Sequence, residues 1–160
     1  MCLKVHNSIK PLDLCFYPLT INCRFGSTTS LMKCISLKQP YAELLTSGKK
    51  TIETRGWSTK FRGSFLIHAS KTVDVDACKY YEIDMDRISK GAVIGKAVIY
   101  DVKKYLNNNE FALDKNKHLS LKKLVDNKKM YGFLIKDAIR FDDAVPCLGK
   151  MGFFDLEYEL

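Results

Sequence analysis

ISLKQPYAELLTSGKKTIETRGWSTKFRGSFLIHASK, residues 35–71, packs a strand, a helix and two further strands into one run. Strand period is visible first, with Cys34 and Ser36 on one face and Ile35 and Leu37 on the other. Pro40 suits the first turn of a helix, where its missing N–H costs nothing. Tyr41, Leu44 and Leu45 then form an apolar stripe at helical spacing, and Gly48 supplies the stop. The chain resumes as a strand that sets Thr51, Glu53 and Arg55 on one face. After the turn residues around Gly56, "GSFLIHAS" reads as another strand, apolar through its centre.

Outward from this run the signals stay of one kind. Asp74 and Asp76 ahead of Ala77, Tyr80, Tyr81 and Ile88 predict a helix within 74–89. "AVIGKAVIYDV" is long, β-branched and apolar on both faces, with Gly95 inside it where a small barrel would bend or bulge. Residues 107–129 read as one or two short helices or loops. "MYGFLIKDAIRF" and "MGFFDLEYEL" are the closing strands. Five or six mostly antiparallel strands, two or three helices in the connections and no βαβ rhythm predict an α+β fold, a small closed β-barrel. Before Met32 no period is sustained and "GSTTS" resembles a linker, so residues 1–31 are expected to be an N-terminal extension, disordered or an artefact of start assignment, and 32–160 the domain.

Composition sets the class. The chain has 160 residues, 46% of them hydrophobic and 28% charged, enough for one core and inconsistent with disorder. No apolar run approaches the ~20 residues a spanning helix needs, and no secretory signal is evident. A cytoplasmic protein without membrane contact is expected. Cys2, Cys15, Cys23, Cys34, Cys78 and Cys147 form no C-x-x-C pair, and the three histidines complete no zinc spacing, so reduced thiols, no metal and no cofactor are expected.

Net charge is +8 and unevenly spread. Within 103–129, eight lysines (103, 104, 115, 117, 122, 123, 128 and 129) face Glu110, Asp114 and Asp126, a local +5, whereas 141–160 carries five acids against Lys150. Such a segment is either a solvated loop or the footprint of a polyanionic partner, whose bound phosphates would release counterions.

Lys50, Glu53 and Arg55 follow the helix stop closely. Strand residues two apart lie ~7 Å from each other, so Glu53 and Arg55 can each meet both a neighbour and a shared ligand. The trio reads either as an ion-pair brace or as a site in which Glu53 accepts from a base amino group while Lys50 and Arg55 hold oxyanions. Lys38 and Gln39 precede a helix N-terminus and suit either anion binding or capping. Trp57 suits a core position or a stacking surface. His68, Ser70 and Lys71 end a strand, where barrel mouths are lined, although His68 equally suits a hydrogen-bonded core. Lys150 lies between Gly149 and Gly152, in a turn open to close ligand approach or simply requiring glycine.

The spacing G-x-K-x-x-E-x-R, here Gly48, Lys50, Glu53 and Arg55, with "QPYA" before it, "RG" and "IHASK" after it and "YGFLIKD…VPCLGKMGFF" near the end, resembles the ASCH (activating-signal-cointegrator homology) family of the PUA-like superfamily. The likeness runs in order over about 32–160. It implies a PUA-like barrel and an RNA- or nucleotide-binding cleft around Lys38, Gln39, Lys50, Glu53, Arg55, Trp57, His68, Ser70, Lys71 and Lys150, with RNA or a nucleotide-like ligand as partner.

The resemblance also implies an alternative, since some members are amidohydrolases acting on acetylated cytidine through a lysine and a threonine of the motif and a downstream glutamate. Lys50 matches the lysine, and Glu53 stands in the threonine's place. A carboxylate cannot replace a hydroxyl nucleophile; Lys50 and Glu53 would be catalytic only if Glu53 served as a general base on water. Thr51 and Thr54 fall in other registers, and neither Glu82 nor Glu110 aligns as the downstream acid. Ribonuclease activity is a third reading, without a paired-histidine or carboxylate–metal signature behind it.

Overall fold

The computed structural model describes residues 29–124 and 128–159. β1 (Thr29–Gln39) runs into α1 (Tyr41–Thr46), then β2 (Ile52–Arg55), β3 (Gly63–Val73), α2 (Val75–Tyr80), β4 (Ala92–Tyr105), α3 (Asn108–Leu113), α4 (Lys115–His118), β5 (Met130–Pro146) and β6 (Phe153–Glu159). The strands form one six-stranded sheet in the order β2-β5-β4-β3-β1-β6. β1 and β3 are parallel and the other pairs antiparallel. The α+β class and strand number agree with the expectation.

Closure does not. The hydrogen-bonded order has two ends, β2 and β6, rather than the ring of a closed barrel. Side chains fill the seam instead: Trp57, just after β2, packs edge-on against Phe153 of β6 at 5.6 Å and Phe133 of β5 at 5.2 Å, and Phe61 meets Phe153 at 5.2 Å. The sheet curls far enough to bring its edges into aromatic contact. Register breaks drive the curl. Ile139 pairs Lys96 and Lys136 pairs Val98, so Asp137 and Ala138 bulge opposite Ala97, with Asp137 at φ 51.

Helices differ in number and length from the expectation of two or three. Among the described residues there are four, each six residues or shorter. The Asp74 side chain caps α2 by accepting from Ala77 N–H, as the acidic start of 74–89 suggested, but the helix ends at Tyr80. Glu82 takes a left-handed φ of 54 and Asp84 folds back on the Asp86 N–H, a local bond that competes with helix. The boundary placed at Met32 falls inside β1, since Leu31 pairs Glu157 and Met32 pairs Leu156; the rest of the proposed extension, residues 1–28, lies outside the described residues.

The main core lies between α1 and the sheet. Ala42 and Leu45 pack with Ile35, Leu37, Phe65, Ile67, Ile94, Phe133 and Ile135, all essentially buried. Gly95 lets the helix in: a Cβ there would lie 2.7 Å from Thr46 Cγ2 and 3.3 Å from Arg140 Cα. A smaller cluster of Tyr105, Phe111 and Leu124 fastens α3 and the segment after α4 to the end of β4. This cluster anchors the segment that carries Ser120 and Lys122.

Candidate functional site

A cleft of about 510 Å3 opens where the ends of β1, β2 and β3 meet the segment after α4 and the turn before β6. Its floor is charged. Glu53 Oε2 stands 3.3 Å from Lys50 Nζ, and Glu53 Oε1 stands 3.0 Å from Arg55 Nε, an ion-pair distance at an angle that makes no hydrogen bond. Lys50 Nζ donates to the His118 carbonyl at 2.5 Å and lies 5.4 Å from the Tyr41 ring centroid. Arg55 Nη2 donates to the Ser36 carbonyl at 2.7 Å, tying β2 to β1 across the seam. The strand period places Glu53 and Arg55 together, while Lys50 converges from the loop before β2.

Burial gives this floor its character. Lys50 is 2% exposed and Glu53 8%, so neither faces open solvent as a surface pair would. Burial pushes the Lys50 ammonium below the usual lysine range, and the Glu53 carboxylate opposes that shift. Among the described residues Nζ donates to the His118 carbonyl and pairs ionically with Glu53; an ammonium carries three protons, so it retains donor capacity for a ligand. Burial, reinforced by the Asp74 charge, pushes the Tyr41 phenol up to about 12; its hydroxyl stands 3.5 Å from Asp74 Oδ2 on the cleft wall. Tyr41 therefore stays a neutral donor at ordinary pH.

Of the residues singled out in the sequence, Lys38, Lys50, Glu53, Arg55, Trp57, Ser70 and Lys150 line the cleft. Gln39, His68 and Lys71 do not. Gln39 is fully buried, its amide donating to the Ser89 carbonyl and its oxygen accepting from Glu43 N–H, so it caps α1. His68 is a hydrogen-bonded core histidine, with Nε2 at 3.2 Å from the Cys147 carbonyl and Nδ1 at 3.0 Å from Ser36 Oγ. Lys71 has the opposite strand parity to Ser70 and lays its stem over Gly91.

The His68 contacts explain the glycine-rich turn. A carbonyl only accepts, so a neutral ring donates from Nε2 to Cys147 and accepts at Nδ1 from Ser36. The Ser36 hydroxyl, 3.1 Å from the Lys150 carbonyl, has one proton for both neighbours. A Cβ on Gly149 would come within 2.7 Å of both His68 Nδ1 and Ser36 Oγ, so glycine is required for packing on protein rather than for ligand approach. Gly152, at φ 71, turns the chain into β6.

Ser36, Tyr41, Thr54, Thr72, Asp74, Ser120, Lys122, Met151 and Gly152 also line the cleft and were not assigned to it from sequence. Ser36 and Thr72 were accessible by counting in twos from Lys38 and Ser70. Ser120 and Lys122 reach the site through a buried node with no local signature. Asp114 accepts from Lys103 at 2.6 Å, Lys117 at 3.1 Å and Tyr105 at 3.0 Å. Burial opposes its ionisation, but those three bonds outweigh it and hold the carboxyl at about 2. His118 stacks on Phe111 at 4.0 Å, donates from Nε2 to the Phe111 carbonyl and accepts at Nδ1 from Ser120 N–H, which aims its own carbonyl at Lys50. Among the described residues no three metal-ligating side chains converge, and Cys34, Cys78 and Cys147 are free thiols. No helix among them is long and apolar enough to cross a membrane.

Compared with known proteins, residues 35–140 match the ASCH domain family model. No curated protein matches the chain. Among solved structures, ASCH from Zymomonas mobilis is similar at a TM-score of 0.54 and 19% identity, covering 71% of this chain and 72% of that one. A tyrosine-to-phenylalanine variant of that protein gives the same score and identity, over 71% and 74%. A serine-to-alanine variant does so over 71% and 72%. At this identity the likeness is one of fold.

Proposed function

Because this chain belongs to the ASCH domain family, with its PUA-like fold, we propose that the cleft binds RNA or a nucleotide-like ligand through Lys50, Glu53 and Arg55. The observation that carries the reading is the Glu53 carboxylate, held between an ammonium and a guanidinium on the floor of a polar cleft. Its remaining lone pairs accept from a base amino group, as a carboxylate does from cytosine N4. The remaining donor capacity of Lys50 meets a ligand oxygen. Trp57 and Tyr41 offer aromatic walls, and Lys38, Lys122 and Lys150 make the rim positive.

Binding to a panel of short single-stranded RNAs tests this. Glu53→Gln keeps the side chain's shape and removes its charge, and is expected to weaken the preferred sequence by ~1–3 kcal/mol, the worth of one good base contact. Lys150→Gln is expected to weaken all sequences alike. Identical panels for wild type and Glu53→Gln contradict the reading.

One observation favours a second reading, hydrolysis of an acetylated cytidine. Lys50 is desolvated, with its proton affinity lowered, beside a carboxylate that can take a proton from water. Incubation with acetylated cytidine, followed by chromatography, separates the two. Deacetylation lost in Lys50→Met supports the hydrolase; salt-sensitive RNA binding without turnover supports the reader.

A further inference from the structure

The segment after α4 has an anchored side and a charged side. Leu124 turns inward onto Tyr105 and Phe111, and His118 fixes Ser120. Lys122, Lys123, Lys128 and Lys129 stay exposed, and none of the four forms an ion pair with a described residue. Lys103 and Lys117, by contrast, are committed to Asp114. Both ends of the segment border the cleft. Ser120 and Lys122 line it, and the Lys129 carbonyl lies 3.8 Å from where a Cβ on Gly56 would stand, next to Trp57.

We infer that these lysines form a backbone track for single-stranded RNA, one nucleotide seated in the cleft and its flanking phosphates lying along Lys122, Lys123, Lys128 and Lys129. The inference rests on the nucleotide reading of the cleft and adds the surface and the strandedness. Cleft volume falls within the ~300–1,000 Å3 range of small-ligand pockets, which admits an unstacked nucleotide and excludes a helix. An acidic peptide is disfavoured because Glu53 on the floor would repel its carboxylates, whereas a base presents amino donors there. Exposed ammonium groups that pair with no described acid, on a segment anchored at Ser120 and Leu124, suit phosphates, because binding them releases counterions without first breaking an ion pair among the described residues.

The test compares the full chain with Lys123→Gln/Lys128→Gln/Lys129→Gln and with a control of equal charge loss, Lys79→Gln/Lys90→Gln/Lys136→Gln. The ligands are a mixed-sequence RNA of about 12 nucleotides, within the span of single-strand binding sites, and the four nucleoside monophosphates. Each single-strand phosphate contact contributes about 0.7 to the slope of log K against log salt, so losing three is expected to flatten it by about 2. Oligonucleotide affinity at low salt falls at least tenfold in the track variant, and monophosphate affinity stays within twofold of wild type. Equal losses in the control overturn the track, since net charge alone would then explain them. An unchanged slope overturns it too, leaving the cleft reading intact. Wild type binding neither ligand class sinks the cleft reading itself, and the track with it.

Discussion

Lys50 owes its position to groups far away in sequence: the His118 carbonyl accepts a hydrogen bond from its ammonium, and His118 is held by the Phe111 carbonyl and the Ser120 N–H. A surface lysine would wander among rotamers; this one is a fixed donor beside Glu53. The spacing from Gly48 to Arg55 made the trio readable in sequence, but not its depth, because burial depends on the Asp114 node and on a segment some seventy residues on. His68 and His118 also set a pH dependence. Burial lowers the proton affinity of both rings below the ordinary value of 6.5. The unfolded chain therefore takes up protons first as pH falls, and stability declines from about pH 6.5 downward until the folded rings protonate too. Asp114, held at about 2, adds a separate loss only between about pH 4 and 2. The melting midpoint is expected to fall between pH 7.5 and 5.5, and less steeply in His118→Gln. A midpoint that rises over that interval contradicts these assignments.

Among the elements, α1 and β4 show how one glycine sets a packing distance. Gly95 was legible as an irregularity in an otherwise β-branched strand, and the register does shift between Val93 and Gly95. What periodicity could not show is that α1 sits against it, with Thr46 and the β5 backbone both inside the space of a methyl group. Gly95→Ala forces α1 or β5 to move and is expected to cost ~1–3 kcal/mol, as overpacking does, read as a lower urea midpoint at unchanged m-value. Alanine tolerated without loss would mean that the helix is not held against the sheet. The parallel pairing of β1 with β3 was not foreseen either. The intervening α1 and β2 carry no βαβ rhythm, yet β2 pairs elsewhere and leaves β3 free to return alongside β1.

For the whole molecule, alternation and turn residues identified the class and strands, while the curl that brings the open sheet's two edges together depended on contacts between distant segments. Trp57, Phe61, Phe133 and Phe153 join the sheet's edges through rings, and Arg55 adds a hydrogen bond to the Ser36 carbonyl. The same seam floors the cleft, so fold and site share residues. Local sequence offers no signal for a Trp57–Phe153 contact. Trp57 is also the chain's only tryptophan, which makes its fluorescence a direct reporter of the cleft. The most direct measurement is a titration of wild type and Glu53→Gln with single-stranded RNA, following Trp57 emission alongside an independent binding signal. Expected is a saturable emission change with the same midpoint as binding, displaced several-fold to higher RNA concentration in Glu53→Gln at matched melting temperature. RNA binding that leaves Trp57 emission untouched, with wild type and Glu53→Gln superimposed, would place the ligand elsewhere and contradict it.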